Sequence, residues 1–308
     1  MSEAPNLAIL NRDESRGHAA EHFAQQIALL HDLANYGSNL ILRAYASSKK
    51  DTTDVLVCGV LLKQIVSMLD SIDVLLTAGI VHSGFLSART AFEASIYLDW
   101  ILFGDSDRKA RCYVVANYRD EKLWALRVIQ GTPESAAFDV VASNMGLDLH
   151  ANRPTLAAEA TAHLSEVNRI LAQVELQAID REFDQRRGKK KRDLEWYELV
   201  GAKSIRQVAD AVGRLPEYDY FYSKGSQIAH TAAYKDHIRF AKGNVHLKAV
   251  RHLDGVDTLV KFVVGVGIGS FQRVLKHYRP GELPAFSKKY IADWRTPYMS
   301  VKGVNYGF

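Results

Sequence analysis

Apolar residues recur at helical spacing along almost the whole chain, and this periodicity constrains the fold more than any other feature. Residues 14–46 carry apolar side chains three or four positions apart, among them Phe23, Ile27, Leu30 and Leu33. Residues so spaced share one face of an α-helix. The same pattern continues to about residue 277, interrupted by glycine, proline and serine. We therefore predict an all-α fold, an antiparallel helical bundle with extra helices and an irregular C-terminal tail.

The domain organisation follows from what interrupts this pattern. No internal repeat, low-complexity linker or change of composition marks a boundary, so we predict a single helical domain over residues 1–308. The tail covers about residues 280–308 and is expected to pack across the body. The only strand prediction is a short β-ribbon within residues 239–250. Residues 181–192 are charged and contain a glycine, which predicts an exposed loop or a frayed helix end.

Cysteine usage and hydropathy favour a cytoplasmic protein without a membrane partner. The two cysteines, Cys58 and Cys112, lie within apolar helical patterns, so neither a disulfide framework nor a thiolate metal site is predicted. The longest apolar stretch, Leu259 to Leu275, contains charged residues and is interpreted as a core helix. The glycines from Gly265 to Gly269 lack a preceding strand and the spacing of a nucleotide-binding loop, so no cofactor is predicted.

Arg89 and Glu93 form the first candidate functional pair. They are four residues apart, so they share one face of a predicted helix and can form an ion pair. An ordinary surface ion pair explains this spacing equally well. Such a pair stabilises a helix by only about 0.3–0.5 kcal/mol.

The segment 218–237 is the richest in side chains that can transfer protons or bind anions. If it is helical from Pro216, then Tyr222, Ser226 and His230 follow one another at four-residue steps, and Tyr234 and His237 extend the stripe. A histidine beside hydroxyl groups can act as a general acid or base near neutral pH. Lys224 could supply positive charge to a phosphate oxygen.

Three other interpretations of this stripe stay open. His230 could be a buried histidine satisfied by Ser226, or the stripe could be a polar seam between helices or a polar patch in a dimer interface. A metal site is not predicted, since no Glu-x-x-His motif accompanies the histidines.

A basic run is the candidate nucleic-acid contact. Its positive residues are Arg186, Arg187, Lys189, Lys190, Lys191 and Arg192. Such a run attracts a phosphate backbone through counterion release, and the nearby Trp196 and Tyr197 could stack on bases. Flanking acidic residues reduce the positive electrostatic potential of the run. The net charge of +4 is too small to indicate nucleic-acid binding by itself. A solvated loop is the other interpretation.

Together these motifs resemble a bacterial helical domain of unknown function, the one numbered 5677. The resemblance rests on Ser71-Ile-Asp73, Arg89-Thr-x-x-Glu93, Arg108 to Tyr113, and Tyr222-x-x-x-Ser226-x-x-x-His230, and covers about residues 55–231. In outline such domains look similar to HEPN proteins, which are often metal-independent ribonucleases and toxins of phage defence. Those proteins carry an arginine shortly before the catalytic histidine, whereas Lys224 is nearest to that position here. Lysine does not replace the bidentate arginine.

Two hypotheses follow from the motifs and the resemblance. The first is a metal-independent endoribonuclease, a homodimeric toxin or anti-phage defence effector under an unknown regulatory partner. In it, His230 transfers the proton, Arg89 or Lys224 stabilises the charged phosphorus, Glu93 orients Arg89, and the basic run gathers RNA. The second is a non-catalytic interaction or small-ligand-binding protein, in which the same side chains form a structural polar seam. Composition and residue spacing alone support the two hypotheses equally.

Overall fold

The computed structural model describes residues 10–48, 53–146, 153–188, 194–241 and 243–303. Its helices of the α type are α1 (Arg12–Ser47), α2 (Thr53–Thr77), α3 (Gly84–Leu102), α4 (Ser106–Val128), α5 (Pro133–Asn144), α6 (Arg153–Leu171), α7 (Val174–Arg187), α8 (Ile205–Ala211), α9 (Leu215–Glu217), α10 (Ser223–Ala229), α11 (Val256–Tyr278), α12 (Leu283–Lys289) and α13 (Arg295–Ser300). Short 3₁₀ turns lie at Trp196–Glu198, Tyr234–Asp236 and Pro280–Glu282, and π-helical segments at Tyr218–Tyr222 and Tyr290–Trp294. The predicted all-α class is confirmed.

The predicted β-ribbon is also present. Strands β1 (Ile238–Ala241) and β2 (Asn244–Leu247) form one antiparallel hairpin in which Ile238 lies opposite Leu247.

The backbone divides into two compact units, Met1–Gly104 with Ile205–Phe308, and Asp105–Ser204. In the first unit, α1, α2 and α3 pack in succession, and α11 contacts all three. Leu33, Ile65, Leu69, Phe92 and Phe271 are fully buried between them. Burying one such side chain contributes about 1.5–3 kcal/mol, so this helix packing holds the unit together. The single domain over residues 1–308 stays a prediction.

In the second unit, α4 packs against α5, α6 and α7. Arg119 of α4 reaches two carboxylates on α7, with its Nη1 2.5 Å from Asp180 Oδ1 and its Nη2 2.8 Å from Asp184 Oδ1. Its guanidinium also lies 5.2 Å from the ring centre of Phe183, which is buried. The charged face of α7 is therefore held against α4.

Two sequence-based expectations about irregular segments were wrong. Residues 181–187 are neither a loop nor a frayed end, since α7 continues to Arg187 with Ile179 and Phe183 buried on its inner face and ends before Gly188. The C-terminal tail is helical rather than irregular from Leu283 to Ser300. Pro284 lies in the first turn of one of these helices, where proline is tolerated.

The tail packs on the first helix, as expected. The indole Nε1 of Trp294 donates a 2.7 Å hydrogen bond to Asp32 Oδ2, and the Trp294 ring lies edge-on to Tyr36 with ring centres 5.2 Å apart.

Two helices, Thr53–Thr77 and Val256–Tyr278, are long and apolar enough to cross a membrane by length and composition. Half or more of each apolar window is buried inside the protein, as in the core helices of many folds.

Candidate functional site

The hydroxyl of Tyr222 joins the predicted pair Arg89 and Glu93. Helix α3 presents both residues one turn apart, and the π-helical segment before α10 places Tyr222 against them. Arg89 Nη2 donates to the Tyr222 hydroxyl at 2.9 Å, and that hydroxyl donates to Glu93 Oε2 at 3.4 Å. The guanidinium carbon of Arg89 also lies 4.5 Å from the centre of the Tyr222 ring. Three of the six predicted catalytic residues therefore meet in one network.

The Tyr222 hydroxyl is protonated at neutral pH. Burial raises its pKa above the ordinary value, and the charge of Glu93 raises it further, although the hydrogen bond from Arg89 acts in the opposite direction. Because it is protonated, Tyr222 can donate to Glu93 while it accepts from Arg89. This arrangement fixes the direction of both bonds.

Gly225 is what allows α10 to approach α3 so closely. A Cβ atom at this position would lie 2.7 Å from the Cβ of Arg89 and 3.0 Å from the carbonyl oxygen of Phe85. Van der Waals repulsion makes contacts this short energetically unfavourable. The backbone of α10 therefore lies where a residue with a side chain could not, and the Arg89–Tyr222 contact depends on it.

Lys224 and Ser226 lie on the same short helix but are not part of this network. The ammonium nitrogen of Lys224 lies 4.7 Å from the ring centre of Phe85, where it makes a cation–π contact. Ser226 contributes its backbone carbonyl to the amide of His230 at 3.0 Å.

His230 ends α10, and its side chain is exposed. Among the described residues, none hydrogen-bonds its imidazole ring. A buried histidine satisfied by the Ser226 hydroxyl is thereby excluded. The sequence stripe was also expected to continue through Tyr234 and His237, and this was wrong. Thr231 adopts φ +56°, a left-handed conformation that stops the helix, and the chain turns away after it.

Three histidines that are distant in sequence are grouped by the fold. The rings of His82 and His237 stand edge to face with centres 4.8 Å apart, and His252 lies 6.4 Å from His82. Burial lowers the pKa of His82, and the charge of His237 lowers it further. Burial likewise lowers the pKa of His252, against the opposing charge of Asp254. At neutral pH these two imidazoles are therefore uncharged.

Spacing alone offered no signal for this group, because its members come from three separate connections, before α3, after α10 and before α11. Lys248 adds a charge beside it and pairs with Asp254 at 2.9 Å. In the part of the chain that the structure describes, no cluster of three or more histidine, cysteine or acidic side chains is arranged to hold a metal ion.

The basic run is only partly described. Arg186 and Arg187 form the last turn of α7, whereas Lys189, Lys190, Lys191 and Arg192 lie outside the described residues. Arg186 is held by Glu182, with Nη2 2.8 Å from Oε1, and by the carbonyl oxygen of Glu198 at 3.2 Å.

The aromatic residues beside the run were expected to be able to stack on bases, and this was wrong. Trp196 and Tyr197 are only 4% and 8% exposed. The Trp196 ring packs edge-on against Tyr113 with centres 5.6 Å apart. Both rings therefore belong to the packing of their unit, and the nucleic-acid prediction rests on the charged side chains alone.

A buried charge network was missed by the sequence reasoning. Arg214 and Asp99 have side chains only 8% and 2% exposed and are 3.0 Å apart from Nη1 to Oδ2. The same nitrogen donates to the Ser95 hydroxyl at 2.7 Å, and Arg273 Nε lies 2.8 Å from the other Asp99 oxygen. Arg214 is 115 positions from Asp99 in the chain. Only the fold brings them together.

The model of a family of unknown function, DUF5677, matches residues 55–244. This is more than half of the chain. The chain belongs to this family. The matched region contains every one of the predicted site residues, from Arg89 to His230. No curated protein and no solved structure is significantly similar to the chain.

Proposed function

We propose that this DUF5677 protein is a metal-independent endoribonuclease in which His230 transfers the proton. The observation that supports this most is the exposed imidazole at the end of α10, the helix that follows directly on Tyr222 and its contact with Arg89. An imidazole open to solvent is accessible to a large substrate such as RNA. An imidazole can also act as a general acid or base, the chemistry that this reaction requires.

The reaction needs only groups that this chain supplies. His230 takes the proton of the ribose 2′-hydroxyl, and the oxygen attacks the adjacent phosphorus. The bond to the 5′-oxygen breaks, that oxygen receives the proton that His230 took up, and a 2′,3′-cyclic phosphate is left on the upstream fragment. A cation stabilises the extra negative charge on the phosphorane oxygens. Arg89 is the first candidate for this, because its guanidinium carries a permanent positive charge. Lys224 is the second candidate for the same role.

The supporting residues have separate tasks in this proposal. Glu93 and Tyr222 hold the Arg89 guanidinium in one orientation, and Ser226 is one helical turn before His230. The basic side chains of residues 186–192 would attract the RNA backbone. We further propose that the protein is a cytoplasmic homodimer that acts as a toxin or defence effector. This part of the proposal rests on the resemblance to HEPN proteins.

A second candidate is a non-catalytic interaction or small-ligand-binding protein, and one observation favours it. Tyr222 already links Arg89 to Glu93 by hydrogen bonds in a partly buried seam between α3 and the segment before α10. Such a seam fixes how two helices pack without any reaction. On this view the network contributes to the stability of the protein, and replacing His230 has no effect on RNA in the cell.

Induction of the wild type, His230→Ala and His22→Ala in bacteria separates the two. His22 is an exposed histidine of α1 and provides the matched control. The ribonuclease proposal expects growth arrest and fragmented RNA with the wild type and His22→Ala, and neither with His230→Ala at equal soluble expression. Intact RNA with all three would favour the second candidate. The purified variants should melt at the same temperature, since both side chains are exposed.

A further inference from the structure

A cavity of about 410 Å³ lies along one face of α11. Its lining includes Lys261, Gly265, Gly269 and Arg273, which follow one another at four-residue steps and so share that face. None of the six residues predicted to be catalytic lines it. It is therefore a separate feature of the first unit that the proposed ribonuclease does not use.

The cavity carries an excess of positive charge. Three cations, Arg214, Lys261 and Arg273, face two carboxylates, Glu217 and the buried Asp99 that Arg214 and Arg273 share, which leaves one net positive charge. Arg214 is engaged at all three nitrogens by Ser95, Asp99 and Glu217. Arg273 uses only Nε on Asp99, and no described residue accepts a hydrogen bond from its two terminal nitrogens. Lys261 is exposed, and no described carboxylate forms an ion pair with it.

The shape of the cavity favours an elongated ligand. The two glycines let polar side-chain ends approach the helix between the cations: the Tyr298 hydroxyl lies over Gly265, 3.2 Å from where a Cβ would be, and Nη1 of Arg273 lies over Gly269, 3.4 Å from where a Cβ would be. Lys261 and Arg273 are twelve residues apart, which is about 18 Å along the helix axis. Phe221 and Tyr298 line the cavity as aromatic walls. One end therefore offers the Arg273 guanidinium, the middle an aromatic surface with one hydroxyl, and the far end the Lys261 ammonium group.

We propose that this cavity binds a small phosphate monoester of nucleotide size. The phosphate binds the two terminal nitrogens of Arg273, whose planar fork matches two phosphate oxygens. The organic body lies between Arg273 and Lys261, against Phe221 and beside the Tyr298 hydroxyl, and Lys261 contacts its far end. A phosphate monoester has three acceptor oxygens, so two can accept from the Arg273 guanidinium while the third accepts from the Tyr298 hydroxyl or water, which the two oxygens of a carboxylate do not allow. The volume is within the range of about 300–1,000 Å³ typical of small-molecule sites.

Calorimetric titration of the full-length protein with adenosine 5′-monophosphate, inorganic phosphate and adenosine tests this. The monophosphate should bind most tightly, inorganic phosphate more weakly, and adenosine without detectable heat. Lys261→Gln removes one charge-assisted contact without disturbing a buried group, and the dissociation constant should rise by about tenfold. Lys276→Gln, which removes an exposed lysine of the same helix outside the cavity, should leave it unchanged.

Gly269→Leu is the variant that fills the space over the helix. Leucine favours a helix more than glycine does, and the nearest atom to the added Cβ is the end of a flexible arginine. The variant should fold and melt no lower than the wild type but lose binding of the monophosphate. The inference is overturned if the wild type does not bind the monophosphate at millimolar concentration, or if Gly269→Leu binds it as the wild type does. Equal affinity for inorganic phosphate and the monophosphate, or equal weakening by Lys276→Gln, would also overturn it.

Discussion

Replacing Gly225 with alanine should destabilise the protein although it improves helix propensity. The added Cβ would lie 2.7 Å from Arg89 Cβ and 3.0 Å from the Phe85 carbonyl oxygen. Neither neighbour is the free end of a flexible side chain, since one is the first side-chain carbon and the other is backbone. Helix α10 must therefore move away from α3, and the 2.9 Å bond between Arg89 and Tyr222 lengthens or breaks.

The expected size follows from three contributions, two that destabilise and one that stabilises. Forcing a methyl group into a packed interface costs about 1–3 kcal/mol. Replacing a helical glycine with alanine gains about 0.5–1 kcal/mol. Loss of part of the Arg89–Tyr222 hydrogen bond adds up to about 1 kcal/mol to the cost. We expect the free energy of unfolding to fall by about 1–2 kcal/mol.

Gly59→Ala provides the matched control. Gly59 lies in the interior of α2, and a Cβ there would meet no atom within 4 Å. The same chemical change should therefore raise the free energy of unfolding, by about 0.5–1 kcal/mol. Urea denaturation followed by circular dichroism measures both variants against the wild type. The reasoning is refuted if Gly225→Ala is as stable as Gly59→Ala, because the close approach of α10 to α3 would then have no energetic consequence.

Three further outcomes follow from buried groups. Arg214→Met leaves the buried Asp99 carboxylate with Arg273 as its one remaining cation and should lower the free energy of unfolding by about 3 kcal/mol. Arg206→Met removes an exposed ion pair and should leave urea denaturation unchanged. The pKa of His82 in the folded protein is lower than its unfolded value of about 6.5, so on acidification the unfolded state binds a proton first. The melting temperature should therefore fall as the pH decreases from 7 to 5. His82→Gln should reduce that fall. Burial raises the pKa of Cys58 to about 12 and of Cys112 to about 11, so neither thiol should react with a disulfide reagent at pH 8 until urea unfolds the protein.

The helical body could be predicted from the sequence because its signals are local. Apolar spacing and stop residues located the long helices, and α11 was found despite its three glycines. The prediction of an irregular tail was wrong. Proline usually marks the end of a helix, but Pro284 lies in the first turn of one, and the buried Phe286 and Trp294 hold the tail in place. Packing partners distant in sequence decided that outcome. A local pattern does not contain them.

The candidate site was predictable only where its residues share one helix. Arg89 and Glu93 were paired from their spacing, but the hydroxyl that joins them comes from Tyr222, more than a hundred residues later. The stripe beyond His230 was lost because a single residue, Thr231, adopts a left-handed conformation. Threonine gives no sign of this, since its side chain disfavours that conformation. The grouping of His82 and the buried Arg214 network arises from tertiary contacts in the same way.

The rate of cleavage of a fluorescent RNA by the purified protein in excess chelator tests the proposed ribonuclease more sharply than any other single measurement. The wild type should cut the RNA, leave 2′,3′-cyclic phosphate ends and spare the DNA of the same sequence. His230→Ala should cut at least about a hundredfold more slowly, the usual contribution of a general acid–base residue. Its melting temperature should equal that of the wild type, because the side chain is exposed. Equal rates for the wild type and a folded His230→Ala, or no cleavage of RNA by either, would contradict the proposal.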